Sequence, residues 1–514
     1  MMMLRELIRF STQHRTLYCY MILSVWIFLL IAGMYKYIGQ NSTSLGYTLN
    51  FLNGRNQLNN LDASTSSLLE LRNLVKYKAR CTPLTYIARA DDGGILDGWK
   101  LQGVLLILRH GDRGPMSHVR PIPRLNCGIT GDNLVNKYRS FLYNSTSVSG
   151  SNHMYWNKVG PFHGFPLLPL AEKECLLDEV VVYTTRVRRT FQSALAFLYT
   201  FLPTDKWLAL NVKESHSIAF CFSDCACPQA DALRKLLMKM QKQQLLKQTA
   251  ITNIMQWIGS NLLQYTPNGI TDANEVVDAI LTIMCHDSPW PCRDLNITDN
   301  GAASTKANDF ELNEVINIDQ DDLGIASNAL DIEMNRNRDT TTASTTGCIE
   351  SSQVAALMSF VTLQSIQEAR HLNYKRIGLL RAYGMIRHIV SYMLRMISGD
   401  RTKFVLYAGH DWTLQYLTAA FGIRTDNTFI AYAARLTIEV YRSDTHTDYY
   451  FRVVYNGRDV TQQIDFCEGG KSLRVTRDSR GNKADLCPIE NIIRFLHEDY
   501  FAPLNATNFK DACM

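Results

Sequence analysis

The sequence predicts an α/β fold: a Rossmann-like, mainly parallel sheet flanked by helices, interrupted by an inserted, mostly α-helical cap. Three observations carry this. Residues 103–108 (GVLLIL), 179–184 (EVVVYT) and 403–407 (KFVLY) are short apolar or β-branched runs, as expected of buried strands. Two of them lead into helical patterns, "RRTFQSALAFLYTFL" (188–202) and "DWTLQYLTAAFG" (411–422). Between those two units, residues 230–248 are Leu, Lys and Gln at helical spacing, and further helical stretches continue to 285 and again over 351–398. With 514 residues and 46% hydrophobic content, the chain can bury a sizeable core, or two. The formal net charge of +5 is slight for this length and argues neither for nor against an acidic partner; no nucleic-acid partner is expected.

Taken in order, residues 1–16 form a cytoplasmic tail ahead of an N-terminal transmembrane helix at 17–37. The stretch "LYCYMILSVWIFLLIAGMY" (17–35) is free of charge. As a helix it would reach ~28 Å, close to the ~30 Å bilayer core and longer than a cleaved signal peptide needs. Arg5, Arg9 and Arg15 precede it, against Lys36 close behind, so the remainder should be lumenal. Four glycosylation sequons, at Asn41, Asn144, Asn296 and Asn505, all lie beyond the span and agree with that orientation. So do the cysteines: of 13, Cys19 is inside the span, and the even remainder suits disulfides of unspecified pairing.

Residues 38–95, rich in Asn, Ser, Gly and Leu at their start, read as a stem. The α/β core is expected over 96–228 and 375–514, and the cap over 229–374. Within the cap, residues 298–347 are Asn-, Asp- and Thr-rich without periodicity and read as a long loop. "ARLTIEVYR" and "YYFRVVYNG" resemble a hairpin around the polar turn at 443–448.

Each of the three strands leads to residue types suited to chemistry: Arg109-His110-Gly111-Asp112-Arg113-Gly114-Pro115, Arg188-Arg189-Thr190, and Gly409-His410-Asp411. In open α/β sheets ligands bind at the carboxyl ends of strands, so one pocket could receive all three groups. Several arginines with two histidines, and no metal-ligand spacing, suit a tetrahedral dianion. Guanidinium forks match phosphate oxygens in pairs. His110 would then be a nucleophile that captures the phosphoryl group as phosphohistidine. Asp411 would be the acid that protonates the leaving group, which mildly acidic pH should favour.

The motifs "RHGDRGP", "TTRVRRT" and "GHDWTL" resemble, in that order, the RHGxRxP signature, second arginine motif and HD motif of the histidine acid phosphatases, branch two of the histidine phosphatase superfamily. The resemblance implies the histidine phosphatase fold, a helical cap between the second and third motifs, and no metal or organic cofactor. It implies that Arg109, Arg113, Arg189 and His410 bind the phosphoryl group, with His110 as nucleophile and Asp411 as proton donor. Arg186 stands where many members have aspartate, a departure that adds positive charge near the pocket. The anchor and stem, with "TRVRRTFQSALAFLYTFLP" and "YAGHDWTLQYL", resemble members that remove the 2-O-phosphate from xylose in the linkage tetrasaccharide of proteoglycans. From that come a Golgi-membrane location and an association with glycosyltransferases or kinases of the linkage pathway.

Other readings compete. A broad lysosomal or cell-surface acid phosphatase would share the motifs, and an inactive glycan-binding protein would share the topology. Asp319 and Asp321 resemble a glycosyltransferase metal site but fall in the low-complexity insert. Cys221, Cys225, Cys227, Cys285 and Cys292 fit no familiar zinc spacing. His118 is near enough to the signature to reach the pocket, whereas His153, His371 and His497 read as surface or packed residues.

Overall fold

The computed structural model describes residues 77–78, 80–81, 96–120, 136–138, 140, 179–202, 212–264, 269–292, 347–424, 428–445, 447–476 and 483–514. They belong to one compact unit, Glu70–Met514. The expected anchor, the cytoplasmic tail, the sequons at Asn41, Asn144 and Asn296, His153, Asp319 and Asp321 lie outside the described residues. Among the described residues no helix is long and apolar enough to cross a membrane.

In chain order the elements are β1 (Trp99–Arg109), β2 (Val180–Thr185), α1 (Arg188–Phe201), β3 (Val212–Ser215), α2 (Pro228–Lys247) and α3 (Thr249–Leu262). Then come α4 (Ala273–Cys285), α5 (Ser351–Arg370), α6 (Leu372–Ile397), β4 (Phe404–Gly409) and α7 (Asp411–Phe421). Five strands follow: β5 (Arg435–Ser443), β6 (Tyr449–Tyr455), β7 (Arg458–Asp459), β8 (Leu473–Thr476) and β9 (Lys483–Pro488). The sheet order is β3-β2-β4-β1-β5-β6-β9-β8, with β7 on β6.

The sheet is mixed, which corrects the expectation of a mainly parallel one. β3, β2, β4 and β1 are parallel, but β1 pairs with β5 antiparallel, and β6, β7, β8 and β9 continue that way. The reason lies in the second half of the chain. After α7 the chain enters β5 on the free edge of β1, running antiparallel to it, and a short turn then brings it back as β6 without a crossover helix.

The unbroken apolar run of β1 reflects burial on both faces. Val104, Leu106 and Leu108 pack with Phe191, Leu195 and Leu198 of α1. Leu105 and Ile107, pointing the other way, join Ile386 and Ile389 of α6 and Leu414 and Leu417 of α7. A separate core lies among α3, α4 and α5, around Ile258, Val276, Ile280 and Leu357.

Among the described residues, disulfides join Cys81–Cys285, Cys221–Cys225, Cys227–Cys513, Cys292–Cys348 and Cys467–Cys487. All five cysteines weighed as zinc ligands are thereby engaged. Cys81 falls in the range read as stem, yet its neighbourhood is fastened to the helical core. Tyr77 is buried there and bonds Ser359 through its hydroxyl at 2.6 Å.

Candidate active site

Three adjacent parallel strands bring the motifs together. Arg109, the last residue of β1, is in register with Gly409, the last of β4. On the other side of β4, Thr184 of β2 is in register with Ala408. The third motif therefore sits between the other two, although Arg109 and Asp411 are 302 residues apart. Gly409 must be small: a Cβ there would meet the Thr413 hydroxyl at 2.5 Å and Phe220 at 2.9 Å. The same Thr413 Oγ1 accepts the His410 backbone N–H at 3.0 Å, which caps α7 and sets the turn that presents His410 and Asp411.

His110 is buried, 2% exposed. Its Nδ1 faces the Gly111 carbonyl at 2.7 Å, so Nδ1 carries the proton and the lone pair is on Nε2. Burial first, then the charge of Arg109, pushes its pKa well below the ordinary histidine value, which keeps the imidazole neutral. Gly111 N donates to Ser193 Oγ of α1 at 2.8 Å, tying the signature loop to the second motif.

His410 lies edge-on to His110, with ring centroids 5.5 Å apart. Its Nε2 meets Thr185 Oγ1 at 2.9 Å, and Thr185 Oγ1 meets Thr190 Oγ1 at 2.8 Å. The Thr190 hydroxyl donates to the Val187 carbonyl at 2.7 Å. Hydroxyls paired in series have one arrangement left: His410 Nε2–H donates to Thr185, and Nδ1 accepts from Arg189 Nη2 at 3.3 Å. Burial and the Arg189 charge bring His410 down to about 4.

The arginines surround this pair. Arg109 is 3% exposed, donates to the Ile430 carbonyl, meets Asp411 Oδ2 at 3.3 Å and stacks over Tyr432 at 4.3 Å. Burial, then the charge of Arg113, lowers the pKa of Arg189. Arg113 is held by a bidentate pair with Asp278 of α4, Nη1–Oδ2 3.0 Å and Nη2–Oδ1 2.8 Å. The Nε atoms of Arg109, Arg113 and Arg189 are all buried without a partner. The charges of the three guanidinium groups act on one another and on the two histidines, which gives the site a positive field suited to an anion. No group of His, Cys, Asp or Glu among the described residues could hold a metal ion. Asp411, at the first position of α7, keeps Oδ1 on the Trp412 backbone N–H at 2.8 Å and is partly open to solvent.

All six residues expected of the site therefore meet. His118 does not join them: it is exposed, and its carbonyl accepts from Gln264 N. Arg186 is also exposed and reaches Glu214 at 3.6 Å. The sequence reading missed Thr185, Tyr432, Asp278 and His286. Thr185 lay inside a quoted motif, but its partner is 225 residues away.

The family profile described as histidine phosphatase superfamily (branch 2) matches residues 100–456, more than half of the chain. The chain belongs to this family. A Xenopus tropicalis protein named 2-phosphoxylose phosphatase 1 is 29% identical over 338 residues, 64% of this chain and 54% of that protein. The chain thus spans about half the length of that relative. The Homo sapiens protein of the same name is 25% identical over 472 residues, covering 84% and 85%. A Citrobacter braakii phytase structure aligns with 78% of this chain and 98% of its own, at 13% identity and a TM-score of 0.39. As a member of the histidine phosphatase superfamily, the chain is a phosphoric monoester hydrolase.

Proposed function

We propose that the enzyme removes the 2-O-phosphate from xylose in the linkage region of proteoglycans, through a phosphohistidine on His110. The observation that carries the mechanism is a neutral His110, with its lone pair on Nε2, beside His410 and within the field of Arg109, Arg113 and Arg189. Arg109, Arg113, Arg189 and His410 bind the phosphoryl oxygens. Nε2 attacks phosphorus, the N–P bond forms, and the P–O ester bond breaks as Asp411 gives its proton to the departing sugar oxygen. Asp411, now a carboxylate, takes a proton from water; the water oxygen bonds phosphorus, the N–P bond breaks, and phosphate leaves. Because His410 is neutral in the free site and Nδ1 accepts from Arg189, a bound dianion favours its protonation, giving a second N–H for phosphate.

The xylose substrate is supported by the names of the relatives, which cover most of the chain. The proposed setting is a single-pass Golgi membrane protein, anchored by 17–37 with a lumenal catalytic part and glycans at its sequons; the charge-free stretch and its flanking arginines support the anchor, and only the resemblance supports the Golgi. Of the sequons, Asn505 is exposed. Partners would be glycosyltransferases or kinases of the linkage pathway. The test is kcat/KM on a 2-phosphoxylose linkage oligosaccharide against p-nitrophenyl phosphate. A preference of at least a hundredfold for the glycan is expected. Equal rates would replace this reading with a broad acid phosphatase.

A further inference from the structure

The signature loop does not stand alone; one stripe of α4 holds it. Glu275, Asp278, Thr282 and His286 recur at helical spacing along that helix and its C-cap. Ser117 donates to Glu275, the Met116 N–H and both Arg113 Nη groups go to Asp278, and Asp112 Oδ2 faces His286 Nε2 at 3.0 Å. The Cys81–Cys285 disulfide pins the same helix end.

His286 is the unusual member. Its Nε2 faces a carboxylate, and its Nδ1 faces the Thr282 carbonyl at 2.5 Å. Both neighbours only accept hydrogen bonds. A neutral imidazole carries one N–H and can satisfy one of them; an imidazolium satisfies both. The Thr282 carbonyl belongs to the last turn of α4, where the helix dipole also favours a cation.

We infer that His286 is a positioning residue for the phosphatase reaction: as the imidazolium it clamps Asp112, and with it the loop carrying His110 and Arg113, to the cap helix, and it releases that loop as pH rises. The charged groups facing it include Asp112 from the loop and Asp287, the next residue in the chain, which itself pairs with Lys78. The Asp112 hydrogen bond raises the histidine's pKa above the ordinary value, in keeping with the two-acceptor geometry. The clamp is thus complete below about pH 6.5 and lost as pH climbs through the raised value. Acid preference then has a source separate from the proton on Asp411.

The inference rests on the phosphatase assignment, and one experiment separates the two. kcat/KM of the full chain on p-nitrophenyl phosphate is measured from pH 4.5 to 8.5 for the unaltered protein, His286→Gln and Asp112→Asn. Taking the ratio of variant to unaltered enzyme cancels the ionisations of substrate and Asp411. The ratio is expected to be about 0.1 at pH 5, roughly 1.4 kcal/mol of transition-state stabilisation, and to rise toward one at alkaline pH. The double variant should lose no more than either single one. A ratio that is flat across pH, or already one at pH 5, overturns the clamp. An inactive unaltered enzyme would instead overturn the assignment beneath it. If the variants fail to fold, NMR titration of His286 in the unaltered protein decides: a midpoint at or below about 6.5 refutes the inference, and one above it supports the inference.

Discussion

Replacing Asp278 by Asn tests whether Arg113 belongs to the anion site. The Arg113 and Asp278 side chains are 14% and 19% exposed, so the pair is largely buried. Removing one partner of a buried pair costs about 3–5 kcal/mol, because a charge is stranded. Asn keeps the volume and one acceptor, and some solvent reaches the pair, so we expect roughly 2–3 kcal/mol of lost stability in the free enzyme. Phosphate should behave oppositely. It would replace the missing carboxylate as counter-ion, and it would no longer be repelled by one. At an effective dielectric constant of about 20, that is worth on the order of 1–2 kcal/mol across a guanidinium, a five- to thirtyfold tighter phosphate Kd. The assay is chemical denaturation with and without inorganic phosphate, together with the phosphate inhibition constant. The variant should be less stable alone and gain more from phosphate than the unaltered protein. A variant that binds phosphate equally or more weakly would mean that Arg113 does not face the anion.

Other outcomes are equally specific. Thr185→Val keeps the shape of the side chain but strands the His410 Nε2–H; with about 1–3 kcal/mol for an unmet buried donor, phosphate affinity should fall roughly five- to a hundredfold, and an unchanged inhibition constant would refute the hydroxyl series. Burial depresses His410 and His388 to about 4 and holds His110 well below the ordinary histidine value, so their contribution to stability is present above about 6.5 and lost as pH falls through the depressed values. The urea midpoint of the free chain should accordingly drop between pH 6.5 and 4, and phosphate should recover part of the drop. Glu439→Gln leaves Arg452, 1% exposed, without its carboxylate; a loss of about 3–5 kcal/mol is expected, with KM for p-nitrophenyl phosphate unchanged in the folded fraction. Reduction of the Cys227–Cys513 bridge, which spans 286 residues, should cost about 2–5 kcal/mol, read as a lowered thermal midpoint in reductant.

The catalytic half of the fold was legible because its strands are buried on both faces and end abruptly on charge. β1, β2 and β4 each combine an apolar run with a polar stop. β3 (VKES) and β9 (KADLCP) carry no clear alternation of apolar and polar residues, and β8 (LRVT) alternates over four residues, too few to stand out as a strand. The hairpin β5–β6 was visible, but which edge it would join was not, and that choice makes the sheet mixed. In the site, the residues proposed to bind the anion came from local motifs, whereas the residues that hold them came from contacts across the chain. Asp278 and His286 read as ordinary polar positions of a helix until the signature loop is laid against them. The cysteine count suggested disulfides, but Cys81 and Cys285, 204 residues apart, could not be matched without the fold.

The central claim is that the imidazole of His110 takes the phosphoryl group covalently. The direct measurement is a rapid alkaline quench of the enzyme turning over a 32P-labelled phosphomonoester, followed by peptide mapping. The account predicts an acid-labile, alkali-stable label on the peptide containing His110, absent from His110→Ala. A label on any other residue, or steady turnover by His110→Ala, would contradict it.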